Sequence, residues 1–244
     1  MPFLELDGTQ IYYEKAGSGK PFIILPGFLF DSRAYARLID LLSRHYAVYI
    51  IDTPGHGRSG RLRVETISEM TNILLLFTKS LVIINPIICA NSGSAMPAME
   101  YASRHKVREL LLVDPSGAKC QDSLMQLLFI ILIIQPIALF RRYGPSGSLA
   151  VIRIGLLNLL RNLFNVHFWK LLTASYNKDY TAVMRKIKCP VKLVWGNDDL
   201  LYPITNVNTF TSNFLHAKVY PVQGDHNWLV FNPRQILPAL RISA

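Results

Sequence analysis

Four apolar runs in this sequence end on residues that can do nucleophilic or acid–base chemistry. "IICANS" ends at Ser92, "ELLLVD" at Asp114, "VKLVWGNDD" at Asp198 and Asp199, and "AKVYPVQGDH" leads to His226. A serine hydroxyl is a poor nucleophile until a base removes its proton as it attacks. Histidine suits that role near neutral pH, and a carboxylate can orient the ring and stabilise its cation. Serine, acid and histidine in this chain order make a set capable of acyl transfer. The bland reading of Ser92 is a helix cap, since serine is a favoured N-cap residue. Asp114 stands as an alternative acid because it too closes an apolar run.

These residues need a scaffold that brings distant strand ends together. Short β-branched or apolar runs recur as "TQIYYEKAG", "PFIILP", "AVYIID", "IICA", "ELLLVD", "VKLVWG" and "AKVYPV", and most are separated by helical stretches. "DSRAYARLIDLLSRH" carries Tyr35, Leu38, Ile39 and Leu42 at helical spacing behind an Asp31 or Ser32 cap. "ISEMTNILLLFTKSL" and "AMEYASRH" read as helices in the same way. Alternating apolar strands and helices predict an α/β fold with a mainly parallel sheet covered on both faces. Ligands of such sheets bind beyond the carboxyl ends of the strands, which is where the reactive residues lie. The opening "FLELDGTQIYYEKAGSG" instead predicts an N-terminal antiparallel hairpin turning at Asp7-Gly8.

The alternation stops after "LLLVDPSG" and resumes at "CPVKLVWG". Residues 1–116 and 187–244 are therefore read as the two parts of one core, and residues 117–186 as a helical cap insertion. Within Gly117 to Lys186 nine basic residues face two acidic ones, so the insertion carries seven of the ten net positive charges. That balance favours anionic surfaces or ligands. No recognisable nucleic-acid-binding module accompanies it, so no nucleic-acid partner is expected. "LMQLLFIILIIQPIALF" (Leu124 to Phe140) is seventeen residues long, the lower limit of a membrane span, and is followed by Arg141 and Arg142. It is read as a buried or substrate-facing helix pair kinked at Pro136, with a turn at "GPSG" (Gly144 to Gly147). Cys89, Cys120 and Cys189 follow no metal-ligand pattern and read as reduced thiols. With "MPFLELDGTQ" lacking the features of a signal peptide, a cytoplasmic location is expected.

Across nearly the whole chain these pieces resemble the α/β-hydrolase superfamily, in its small cap-bearing esterase and lipase-like branch. "DGTQIYYEKAGSGKPFIILPGFLFDS" resembles the opening hairpin and oxyanion loop, and "IIDTPGHGRSG" the Gly-His-Gly-x-Ser loop. "CANSGSAMPAMEYA" resembles the nucleophile elbow, "LLLVDPSGA" the lead into the cap, and "VKLVWGNDDLLYPI" the acid loop. The resemblance implies Ser92 as nucleophile, His226 as base and Asp199, rather than Asp198, as the orienting acid. It implies the backbone amides of Phe28 and Gly93 as oxyanion donors, with no metal or cofactor. It makes His56 a structural residue of its loop. The chain departs from the Gly-x-Ser-x-Gly pattern at Ala90 and Ser94, and Pro26 replaces a histidine common before Gly27.

The expected reaction is cleavage of a carboxylic ester bearing an apolar moiety, through an acyl-enzyme on Ser92. The apolar, basic cap would line the pocket, and contact with a membrane surface is a second use for it. A fold does not fix a function. Thioester or C–C bond hydrolysis, lyase and cofactor-free peroxidase chemistry remain open to the same residues. So does a catalytically silent ligand-binding role, which the departures at Pro26, Ala90 and Ser94 would suit.

Overall fold

Asp7 and Gly8 both adopt positive φ, 52° and 68°, the conformation of a two-residue type I′ turn whose twist matches that of the strands it joins. In this computed structural model, which describes residues 2–119, 123–176 and 178–242, that turn pairs β1 (Phe3–Leu6) antiparallel to β2 (Thr9–Ala16). The remaining strands are β3 (Pro21–Leu25), β4 (Ala47–Ile51), β5 (Ile87–Asn91), β6 (Glu109–Val113), β7 (Val191–Gly196) and β8 (Ala217–Val222). They form one eight-stranded sheet in the order β1-β2-β4-β3-β5-β6-β7-β8. From β4 to β8 every pairing is parallel.

The strand order creates the place for a site. After β3 the chain goes through α1 (Ala36–Ser43) to β4 on one side, then returns through α2 (Ile67–Ser80) to β5 on the other. The loops after β3 and β5 therefore part at their carboxyl ends and leave a crevice. Residues 26–28 and Ser92 stand on its two walls. Asp31 caps the 3₁₀ turn that leads into α1 by accepting the Arg33 N–H. A Thr66–Glu69 capping box starts α2.

Both faces of the sheet are covered, so side-chain alternation along β6 serves two cores. Leu110 and Leu112 pack under α2 and α3 (Ala95–Arg104) with Phe77 and Met99, whereas Leu111 and Val113 pack with Leu38, Leu42 and Trp228. These strands read as unbroken apolar runs because neither face meets water. The Cys89 thiol is buried in the second core, and desolvation pushes its pKa up to about 12. Cys189, part-buried, is pushed up to about 11 for the same reason. Cys120 lies outside the described residues.

Between β6 and β7 the chain is helical: α4 (Leu124–Phe129), a π-helical stretch (Ile130–Ile134), α5 (Gln135–Asn162), α6 (Val166–Ser175) and α7 (Thr181–Met184). The expected kink at Pro136 is not where the chain breaks. Pro136 sits in the first turn of α5, directly after the π-helical stretch, and the wider turn lets the helix continue past a residue that cannot donate a backbone hydrogen bond. The break comes at Gly144 (φ 74°, ψ 171°), with Pro145 opening the second arm. Only glycine takes that backbone geometry without strain. The expected turn at residues 144–147 is thus a one-residue reversal inside α5.

Candidate active site

Ser92 follows β5 with φ 57°, an uncommon conformation for a residue with a Cβ and one that stores about 1–3 kcal/mol of strain. The chain reverses there through a 3₁₀ turn (Ser92–Ser94) into α3, leaving the Ser92 side chain at the top of the sheet. Its carbonyl accepts from both the amide and the hydroxyl of Ser116, which fixes the elbow to the segment after β6. Ala90 is fully buried in register between Leu25 and Leu112. Ser94 donates its hydroxyl to the Pro26 carbonyl. The departure at Ser94 therefore ties the elbow to the backbone of the loop after β3.

The structure brings Ser92, His226 and Asp199 together from three strand ends. Ser92 Oγ lies 2.9 Å from His226 Nε2, and His226 Nδ1 lies 2.8 Å from Asp199 Oδ2. All three are buried. Beside a carboxylate the ring proton belongs on Nδ1, so Nε2 is the acceptor for the serine O–H. The other Asp199 oxygen accepts the amides of Leu201 (2.8 Å) and Tyr202 (3.0 Å), so the carboxylate is held from both ends. Asp198 instead turns outward to Arg142, 2.8 Å away.

Asp114 does not reach the imidazole by a hydrogen bond; its Oδ1 accepts the Gly196 amide at 2.7 Å. It is fully buried, and burial together with the Asp199 charge holds its carboxyl well above the usual carboxylate range. One atom each of Asp114, Asp199 and His226 lie within 4.8 Å of one another, a grouping with the composition of a metal site. Both imidazole nitrogens and both Asp199 oxygens already have protein partners, however, so the hydrogen-bond chain accounts for the cluster.

Two supporting residues carry no local sequence signal. Tyr35 accepts the Gly27 amide (2.9 Å) and donates to Asn91 Oδ1 (2.7 Å), while Asn91 Nδ2 donates to the Val113 carbonyl (3.1 Å). This buried relay holds the loop after β3 against β5 and β6. A Cβ at Gly27 would lie 3.0 Å from Asn91 Oδ1, so any larger residue would push on this relay. Tyr35→Phe leaves a buried amide and a buried amide oxygen unpartnered. Expected is a loss of about 2–6 kcal/mol in denaturant unfolding, from roughly 1–3 kcal/mol for each of the two unsatisfied groups, together with reduced turnover.

Phe28 and Gly93, the expected oxyanion donors, face the same cavity as Ser92 and His226. The Phe28 ring stacks on Phe168 of α6 at 5.0 Å and meets the His56 ring edge-on at 5.9 Å. His56 is thus a packing support under the loop and lies apart from Ser92. Desolvation lowers its pKa from 6.5 to about 4. The folded chain keeps His56 neutral while the unfolded chain binds a proton, so its contribution is complete above pH 6.5 and falls away as pH drops toward 4. Expected is a destabilisation on the order of 2 kcal/mol by pH 5, read by unfolding at pH 7 and pH 5 and absent from that difference in His56→Phe.

The cavity over Ser92 measures about 230 Å³. Met96 contributes from below, and Leu127, Ile131, Leu139, Val151 and Leu159 from the cap, so an apolar group fits above the serine. Polar ties fasten the cap to the reactive loops. Gln135 accepts from Asn227 at 2.8 Å, and Tyr143 donates to Asp225 at 3.3 Å, on either side of His226. Asn158 bridges Leu29, Asp31 and Gly57.

The sequence profile of the Alpha/beta hydrolase family matches residues 22–239. A non-heme haloperoxidase from Rhodococcus erythropolis is 25% identical over 91% of either chain. A pimeloyl-[acyl-carrier protein] methyl ester esterase from Proteus mirabilis is 32% identical over 67 residues, 27% of this chain and 26% of that one. Among solved structures, the enol-lactonase from Burkholderia xenovorans LB400 superimposes with a TM-score of 0.82 at 18% identity, covering 98% of both chains. With a profile match spanning all the parallel strands and the cap, the chain belongs to the alpha/beta hydrolase family.

Proposed function

We propose that this hydrolase cleaves a carboxylic ester with an apolar moiety, through an acyl-enzyme on Ser92. The observation that carries the reading is the hydrogen-bonded series Asp199–His226–Ser92, which ends on a strained serine beneath an apolar cavity. Ser92 Oγ attacks the ester carbonyl as its proton passes to His226 Nε2, and Asp199 stabilises the resulting imidazolium. The Phe28 and Gly93 amides serve the oxyanion; one such donor is worth about 2.7–4 kcal/mol in the transition state. His226 returns the proton to the departing alkoxide as the C–O bond breaks, releasing the alcohol. Water then repeats the sequence on the acyl-enzyme, giving the carboxylic acid and free serine.

The esterase likeness supports the ester as substrate class. The haloperoxidase likeness, over most of both chains, favours a second reading in which hydrogen peroxide replaces water as acyl acceptor. The test is a p-nitrophenyl ester series from acetate to palmitate, with and without peroxide, in wild type and Ser92→Ala. Turnover that peaks at an intermediate or long chain and vanishes in Ser92→Ala supports the reading. Turnover that survives Ser92→Ala removes the serine from the mechanism.

A further inference from the structure

The helices that line the cavity also carry an unusual outer surface. Across Leu124–Asn162, a stretch long and apolar enough by length and composition to cross a membrane, the most apolar window is only 17% buried. A core helix of such composition would be mostly enclosed. The segment does not stand free, since Asn158, Arg161 and Asn162 pin it to the loops after β3 and β4. One side of it rests on the core while the other side shows hydrocarbon to solvent.

The exposed residues follow helical spacing. On the first arm they are Met125, Phe129, Leu132, Ile133, Ile137 and Phe140; on the second, Leu149, Leu156, Leu157, Leu160, Leu163 and Phe164. Steps of three, four and seven place the first set and Leu149, Leu156, Leu157 and Leu160 each along one side of an arm, while Leu163 and Phe164 follow the helix end at Asn162. Phe164, at the end of the second arm, is 96% exposed. Leu132 and Leu156 lie on opposite arms, line the cavity, and are 45% and 51% exposed. The cavity therefore opens between the two apolar stripes.

Charge points to what covers this face. From Ser123 to Tyr176 the sequence holds no aspartate or glutamate, but holds Arg141, Arg142, Arg153, Arg161 and Lys170. All five are exposed. Arg142 and Lys170 pair with Asp198 and Glu65 of the core, whereas Arg141 and Arg153 form no ion pair among the described residues. The segment itself brings only cations to its exposed hydrocarbon, and the two core carboxylates beside it are each paired with one of them, a balance that matches the acyl layer and headgroups of an anionic bilayer.

We propose that the cap docks on an anionic lipid surface, with the apolar stripes in the acyl layer and the cavity mouth opening directly into it. The substrate is then an ester drawn laterally from the membrane, a conclusion that rests on the ester-hydrolase reading; the docking itself does not. Unlike a spanning helix, the docked cap stays folded on its core and enters from one side.

The experiment is co-sedimentation of the full chain with two vesicle types, phosphatidylcholine alone and phosphatidylcholine mixed with phosphatidylglycerol. Wild type is compared with Phe129→Ser/Leu160→Ser/Phe164→Ser, three exposed positions that do not line the cavity. Expected is wild-type binding to the anionic vesicles, weakened but not abolished by high salt, and about tenfold weaker in the triple variant. Turnover of p-nitrophenyl butyrate in solution should be equal in the two proteins, which shows that the variant is folded. Wild type remaining in the supernatant, binding lost completely at high salt, or equal sedimentation of the variant would each overturn the proposal. So would a wild-type dimer without vesicle binding that becomes monomeric in the variant, which would assign the face to a second copy. Failure of every soluble ester alongside intact vesicle binding would remove the catalytic reading and leave the docking in place.

Discussion

His226→Gln is expected to lower kcat on a p-nitrophenyl ester by about a million-fold, with the far-ultraviolet spectrum and unfolding midpoint close to wild type. His226 is joined to both Ser92 and Asp199, at 2.9 and 2.8 Å. Without it, Ser92 must lose its proton to water, and Asp199 orients nothing. In enzymes where such groups act as a unit, loss of the base alone costs about 10⁶ in kcat, nearly as much as loss of the whole set. The residual rate should therefore be the same in His226→Gln and in His226→Gln/Ser92→Ala. Additive losses in the double variant would mean that the two residues act independently. KM should change little, because the apolar cavity that holds the substrate is untouched.

The second large effect separates the two buried aspartates. Asp199→Asn is expected to reduce kcat about ten-thousand-fold, since an amide beside His226 Nδ1 favours the wrong tautomer and cannot stabilise the imidazolium. Asp114→Asn is expected to retain kcat within about tenfold. Burial holds the Asp114 carboxyl well above the usual carboxylate range, and its hydrogen bond goes to the Gly196 amide rather than to the imidazole, a bond an asparagine oxygen can also accept. The pH–rate profile is the discriminating readout. Asp114→Asn should keep the acid limb of wild type, because the carboxylate hydrogen-bonded to His226 Nδ1 is that of Asp199. A ten-thousand-fold loss in Asp114→Asn, with Asp199→Asn spared, would transfer the acid role to the residue after β6.

Much of this arrangement is legible in the sequence because it is written in local patterns. The eight strands follow from short β-branched runs, and the Asp7-Gly8 dipeptide specifies its own turn. Strand-end position picks out Ser92, Asp114, Asp199 and His226, since open parallel sheets gather their ligands there. Spacing alone does not choose among Asp114, Asp198 and Asp199. That choice depends on which carboxylate the loop after β7 turns toward the imidazole, and Leu201 and Tyr202 hold Asp199 in place by their amides.

What the sequence hides is long-range. Tyr35 reads as an ordinary apolar position of a helix, yet its hydroxyl meets Asn91 across 56 residues of chain. Ser94 looks like a mere departure from the elbow pattern until its hydroxyl is seen to meet the Pro26 backbone carbonyl. Pro136 looks like the breaker of the cap helix, but a π-helical stretch accommodates it and Gly144 reverses the chain instead. Helix periodicity finds the apolar faces of the cap without saying which of them meets the core. Only the folded chain shows hydrocarbon on both the cavity side and the solvent side.

The central claim is that His226 makes Ser92 a nucleophile. Labelling with a fluorophosphonate, followed by mass spectrometry of the tryptic peptides, tests it without any knowledge of the natural substrate. A single adduct on Ser92, absent in Ser92→Ala and formed far more slowly in His226→Gln, is the expected result. A folded wild-type protein that takes up no probe, or an adduct that persists on another residue in Ser92→Ala, would contradict the account.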